Sequence, residues 1–135
     1  MQFAQVCDRV ETTPGEIDPA ALVGMWINSN LDTNSIARVK ISDVDGKLHL
    51  QVFAIGPEGL IDWGLADAQV FAGGPASHAG VGFTAHYDFG FAEARLQAMI
   101  MKGLLVLAQF HLFKDDSGRS DYFLREYFAV SHDRF

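Results

Sequence analysis

Two-residue turn signals recur along this chain closely enough to leave no room for a long helix. Asp45-Gly46, Phe89-Gly90 and Lys102-Gly103 each separate segments in which apolar residues come at every second position. Asp-Gly is the strongest of the three, because both central positions of a type I′ hairpin turn take positive φ. Longer breaks fall at residues 30–34, at Gly56-Pro57-Glu58-Gly59 and at Asp115-Asp116-Ser117-Gly118. Eight strand-like segments remain, at about 25–28, 35–44, 47–55, 61–72, 81–88, 91–101, 104–114 and 120–130. Residues 73–80 are the longest irregular stretch. Eight strands in hairpin succession make an antiparallel meander, which exposes two sheet edges unless its ends meet. Closure at eight strands leaves an interior fit for side chains or for one small ligand. The expected fold is all-β: a single eight-stranded antiparallel up-and-down β-barrel.

Ahead of the first strand, Asp18-Pro19-Ala20-Ala21-Leu22-Val23-Gly24 reads as a short N-terminal helix. Asp18 suits the cap, Pro19 the first helical position and Gly24 the stop. Residues 1–17 show no sustained period and are expected to form an arm on the domain surface, with the barrel domain over 18–135. The tail from Ser131 is expected to fray.

The 135 residues fit one domain. The net charge of −7 and the absence of a Lys/Arg run remove the electrostatic footprint of nucleic-acid binding and of docking on anionic lipid. Cys7 is the one cysteine, so no internal disulfide forms and a reducing compartment is expected. No apolar run reaches the roughly 20 residues of a spanning helix, and no basic-then-apolar leader opens the chain. A soluble cytoplasmic protein is the resulting expectation.

A two-residue turn fixes which side chains share a face. In the sixth strand Glu93, Arg95 and Gln97 alternate with Ala92, Ala94, Leu96, Ala98 and Ile100, so the alanine side is the inner one. Across Lys102-Gly103 this places Leu105, Leu107, Gln109, His111 and Phe113 inside, and across Phe89-Gly90 it places Phe83, Ala85, Tyr87 and Phe89 there. Across Asp45-Gly46 it turns Val39, Ile41, Leu48, Leu50 and Val52 inward. Eleven Phe in one small domain, facing a wall of Ala, leave space of the kind that forms an apolar pocket. Filling of that space by the facing rings is the alternative. A pocket would be lined by Phe83, Tyr87, Leu107, Gln109, His111, Phe113, Phe123 and Tyr127. On the outer side, Leu104, Val106, Phe110 and Leu112, with Met99 and Met101, would form an apolar patch that monomers rarely expose. A homodimer across this wall, with two-fold symmetry, is expected.

Candidates for chemistry are few. His111 beside Gln109 is the sharpest inward polar pair, and a His in such a place works as acid or base near neutral pH; hydrogen bonding within the core is the structural alternative. Tyr87 is the second such candidate. His78, His86, Asp88 and His111 do not converge on one centre, so no metal site is expected. Gly80-x-Gly82 precedes no helix and is no phosphate loop, and no cofactor is expected. Asp62-Trp63-Gly64 falls at a barrel end, where the carboxylate caps a loop and the indole plugs the barrel, or both orient a ligand. Of Arg125 and Glu126, which point to opposite faces, Arg125 is expected inside.

Gly24-x-Trp26-x-Asn28, opening eight strands after a helical turn, resembles the calycin superfamily of lipocalins, fatty-acid-binding proteins and avidins. Asn28 and Gly46-Lys47-Leu48 resemble the avidin side. The resemblance implies that Trp26 closes one barrel end and that Arg125 packs on it. With Trp26 and Trp63 alone, the chain lacks the several Trp with which avidins cage biotin, so the likeness speaks for fold and not for ligand. It is similar at this level to β-barrel cyclases and isomerases as well. Three functions follow: binding of a small, mostly apolar molecule; orientation of a substrate for cyclisation or isomerisation; or a structural self-associating module with a filled barrel.

Overall fold

A computed structural model describes residues 17–132 of the chain. The arm expected over residues 1–17 lies outside this range except for Ile17, as do Cys7 and the last three residues.

Eight strands follow one another as β1 (Gly24–Asn28), β2 (Ile36–Val44), β3 (Lys47–Gly56), β4 (Gly59–Ala72), β5 (Gly80–Asp88), β6 (Ala92–Met101), β7 (Leu104–Phe113) and β8 (Tyr122–Ser131). Each pairs antiparallel with the next, and β1 pairs with β8, so the sheet is a closed barrel. Trp26 lies opposite Val130 and Asn28 opposite Phe128 across the closing seam. Two of the three expected two-residue turns take the expected backbone, with φ of 53° at Asp45, 86° at Gly46, 52° at Lys102 and 81° at Gly103; the third moves by one residue, because Phe89 N donates to Ala92 O and Gly90-Phe91 forms the tip, which leaves the faces unchanged. Gly56 pairs with Gly59, so the third connection tightens to Pro57-Glu58 alone.

The faces follow the alternation. Val39, Ile41, Leu48, Leu50, Val52, Phe83, Ala85, Tyr87, Ala94, Leu96, Leu105, Leu107, Gln109 and His111 are all buried. The register shifts between Ile36 and Arg38 of β2 and between β4 and β5 at Ala72, and a bulge in β4 breaks the alternation between the pairs Gln51–Leu65 and Phe53–Asp62. Gly64 supplies the positive φ, 85°, that the extra residue needs. This bulge turns Trp63 back against the core.

Two expectations are corrected. The segment from Asp18 to Gly24 forms no helix. Leu22 N donates to Pro19 O and Val23 N to Ala20 O, which makes a turn. Asp18 is instead committed to β-pairing: its N–H donates to His78 O and its carbonyl accepts from Gly80 N. Tied at that end and entering β1 at Gly24, the segment is too short to coil further. The second correction concerns β8. Phe128 pairs with Leu105, Glu126 with Leu107, Leu124 with Gln109 and Tyr122 with His111. The even-numbered residues therefore face in, while Phe123, Arg125 and Tyr127 face out, Phe123 and Tyr127 being 53% and 45% exposed. Arg125 lies opposite Ala108 on the outer face and does not pack on Trp26. The reason is the connection: the eight residues between Phe113 and Tyr122 do not transmit register as a two-residue turn does.

Only one half of the barrel is filled. Residues 17–23 run from the start of β5 to the start of β1, across the end that holds the Asp45-Gly46 and Lys102-Gly103 turns. Leu22 is fully buried there and its carbonyl accepts from Trp26 Nε1 at 2.8 Å. Trp26, Ile41, Leu48, Leu50, Phe83, Leu105 and Phe128 pack with it into one continuous core. Among the described residues no helix is long and apolar enough to cross a membrane.

Candidate ligand-binding site

Among the described residues the opposite end of the barrel is open. The β1–β2, β3–β4, β5–β6 and β7–β8 connections gather there around a cavity of about 970 Å³, within the usual size range of small-molecule sites. Six rings border it, Trp63 from the β4 bulge, Phe89 and Phe91 from the β5–β6 turn, His111 and Phe113 from β7, and Tyr122 from β8, while the β1–β2 connection with Asp62, Arg119 and Glu126 supplies its polar part. Ala54 and Ala92 leave the space that the rings border.

The rings hold one another. Trp63 stands edge-on to Tyr87, Phe89 and His111, with centroids 5.4, 5.0 and 5.8 Å away. His111 and Tyr122 stack at 4.5 Å, their planes 9° apart. Such geometries add to what area burial alone contributes. At the mouth the Arg119 guanidinium lies 4.3 Å above the Phe113 ring and 5.4 Å from Phe91. Its charge is already met by Asp115 at 2.9 Å.

The polar groups form two sets. In the first, His111 Nε2 donates to Gln109 Oε1 at 2.5 Å, and Gln109 Nε2 donates to Ser35 Oγ at 2.7 Å. The Gln109 carbonyl is an acceptor only, so it assigns the ring proton to Nε2 and leaves Nδ1 with its lone pair. Burial holds the imidazole below its usual range, and near neutral pH it is uncharged. In the second set, Thr33 Oγ1 donates to Glu126 Oε2 at 2.8 Å. Among the described residues the other oxygen of that carboxyl group, Oε1, is buried without a hydrogen-bond partner.

Tyr87 lies beneath the cavity and does not border it. Its hydroxyl approaches Gly64 O at 2.9 Å and Leu50 O at 3.2 Å, and so ties β5 to β4 and β3. Burial, with a smaller contribution from the Asp62 charge, pushes this phenol up to about 12. Asp62 is itself spent on structure, accepting from Gly64 N and from Gln51 Nε2. Asn28 does the same for the rim: its amide donates to Ile36 O and its carbonyl accepts from Asn30 N, which folds the β1–β2 connection.

Of the residues expected to line a pocket, His111 and Phe113 border the cavity. Gln109 supports His111 from below, while Phe83 and Leu107 belong to the filled half. Phe123 and Tyr127 are on the outer surface. Trp63, expected at a barrel end as a plug or a ligand-orienting group, borders the cavity too; Phe91, Tyr122, Leu124 and Glu126 were not among the expected residues, and inverted parity on β8 accounts for the last three. Among the described residues no three His, Cys, Asp or Glu side chains gather as a metal site requires. Comparison of the chain with protein-family models, with curated proteins and with solved structures finds no match.

Proposed function

We propose that the chain binds a small, mostly apolar molecule in the open half of its barrel, in the manner of calycins. The observation that carries this reading is the division of the interior. A packed floor of Leu, Ile, Val and Phe supports a ring-walled hollow of about 970 Å³. A purely structural barrel has no need of that hollow, because each void costs packing energy. Filling the hollow is the test. Ala54 is buried at the cavity wall, and Ala54→Phe places a ring in the space. Wild-type protein is expected to take up a neutral apolar fluorophore with micromolar affinity, and Ala54→Phe to lose at least tenfold in affinity while its melting temperature is kept. Uptake that is equal in both proteins would place the binding elsewhere.

The chain is also proposed to pair with a second copy through the outer face of β6, β7 and β8. The outward parity of Phe123 and Tyr127 supports this, because it enlarges the apolar surface around Leu104, Val106, Phe110 and Leu112. A groove lined in part by Phe110, Leu112 and Phe123 runs along that face.

A further inference from the structure

The cavity wall holds a polar group that the apolar reading leaves unexplained. Glu126 projects inward from β8 among rings, and one of its oxygens is buried with no partner among the described residues. A buried acceptor left unmet is costly, and more so on a group that carries charge. Natural structures resolve such cases with a water, an ion or a ligand donor. The surroundings select among these. Asp32 and Asp62 join Glu126 on the lining, whereas among the described residues Arg119 is the one Lys or Arg side chain there, and its charge is met by Asp115.

We infer that the ligand is an organic primary ammonium: its charged head donates to Glu126 and its apolar body lies between Trp63, Phe89, Phe113 and Tyr122. This rests on the reading of the cavity as a ligand site and adds the chemical class of the ligand. The terminal torsion of a glutamate is broad and two-fold. Rotation about it carries Oε1 toward the cavity, while Thr33 Oγ1 is held in place by Ser35 N, from which it accepts at 3.1 Å.

Three probes with one apolar body test the assignment by calorimetric titration: 4-phenylbutylamine, 4-phenylbutanol and 4-phenylbutyrate. A hydrogen bond to a charged group corresponds to an affinity ratio of about ten- to a hundredfold, so the amine is expected to bind better than the alcohol by that factor and the carboxylate worst. In Glu126→Gln, which preserves shape, the amine and the alcohol are expected to bind within about twofold of each other. Because the wild-type series needs no variant, it stands even if Glu126→Gln fails to fold. Equal affinity for all three probes would overturn the ammonium assignment and leave the cavity an apolar site. A preference for the carboxylate would overturn it in favour of Arg119. An amine preference that survives Glu126→Gln would take the role from Glu126. Binding of none of the three would overturn both this inference and the ligand-site reading.

Discussion

His111 shows how much one residue's chemistry depends on its neighbours. Its proton is committed to Gln109, and protonating Nδ1 would put a charge beside Trp63 and Tyr122 with no carboxylate bonded to it. Burial holds its folded value below the 6.5 of a free imidazole. The unfolded chain therefore binds the proton first as pH falls, and stability declines from about pH 6.5 downward until the folded value is passed. Above that window the contribution is complete. Urea midpoints at about pH 7.5 and pH 5.5 are expected to differ in the parent and to differ less in His111→Gln, which does not titrate. Parallel declines in the two proteins would show that the ring stays hydrated. The inward pairing of His111 with Gln109 was legible from alternation alone. Ser35 as the far end of that chain was not, because it lies 74 residues away in sequence and meets Gln109 only once the barrel closes. Glu126 was missed for a related reason. A lone carboxylate is an unfavourable choice for an interior, and the choice between it and Arg125 went against it.

At the scale of elements, what could be read depended on the turns. β2 with β3, β5 with β6, and β6 with β7 are joined by short turns, and their faces followed from sequence because each turn fixes its register. β8 comes after a long connection and took the opposite parity. The short helix failed at the same scale, since Asp18 and Gly24 carry sound local signals that pairing of Asp18 with residues 78–80 overrides. The pairing of β5 with β6 offers a direct test of how tightly these ribbons are held. A Cβ placed on Gly82 would stand 2.5 Å from the Ala98 carbonyl oxygen, whereas one placed on Gly74 meets nothing within 4 Å. Gly82 lies opposite Met99 on the outer face, and Gly82→Ala must push β5 and β6 apart there because the atom it meets is backbone. It is expected to lose about 1–3 kcal/mol, the usual range for overpacking. Gly74→Ala is expected to stay within about 0.5 kcal/mol of the parent, as surface changes do. Denaturant midpoints at constant m-value measure both.

For the molecule as a whole, the surface is what the fold leaves unresolved. The interior accounts for the apolar residues of the inner face, yet Met99 and Met101 on β6 and Phe123 and Tyr127 on β8 remain at least 45% exposed on either side of β7. Phe110 and Phe123 lie 4.9 Å apart on that face, a cross-strand pair that projects away from the cavity. A net charge of −7 makes the association of two copies electrostatically unfavourable, so any dimer must form through apolar contact on a face with few charges, and β7 with β8 provides it. One introduced carboxylate at its centre is therefore decisive. Sedimentation equilibrium is expected to give the parent about twice its 14.8 kDa chain mass and Phe123→Asp a single chain mass. The folding cost is expected to stay near 1 kcal/mol or less, because a cross-strand pair contributes no more than that. Affinity for a cavity probe is expected to be unchanged, because Phe123 points outward. A parent that sediments as a single chain at every concentration would end the dimer proposal, and the apolar wall would then require another partner.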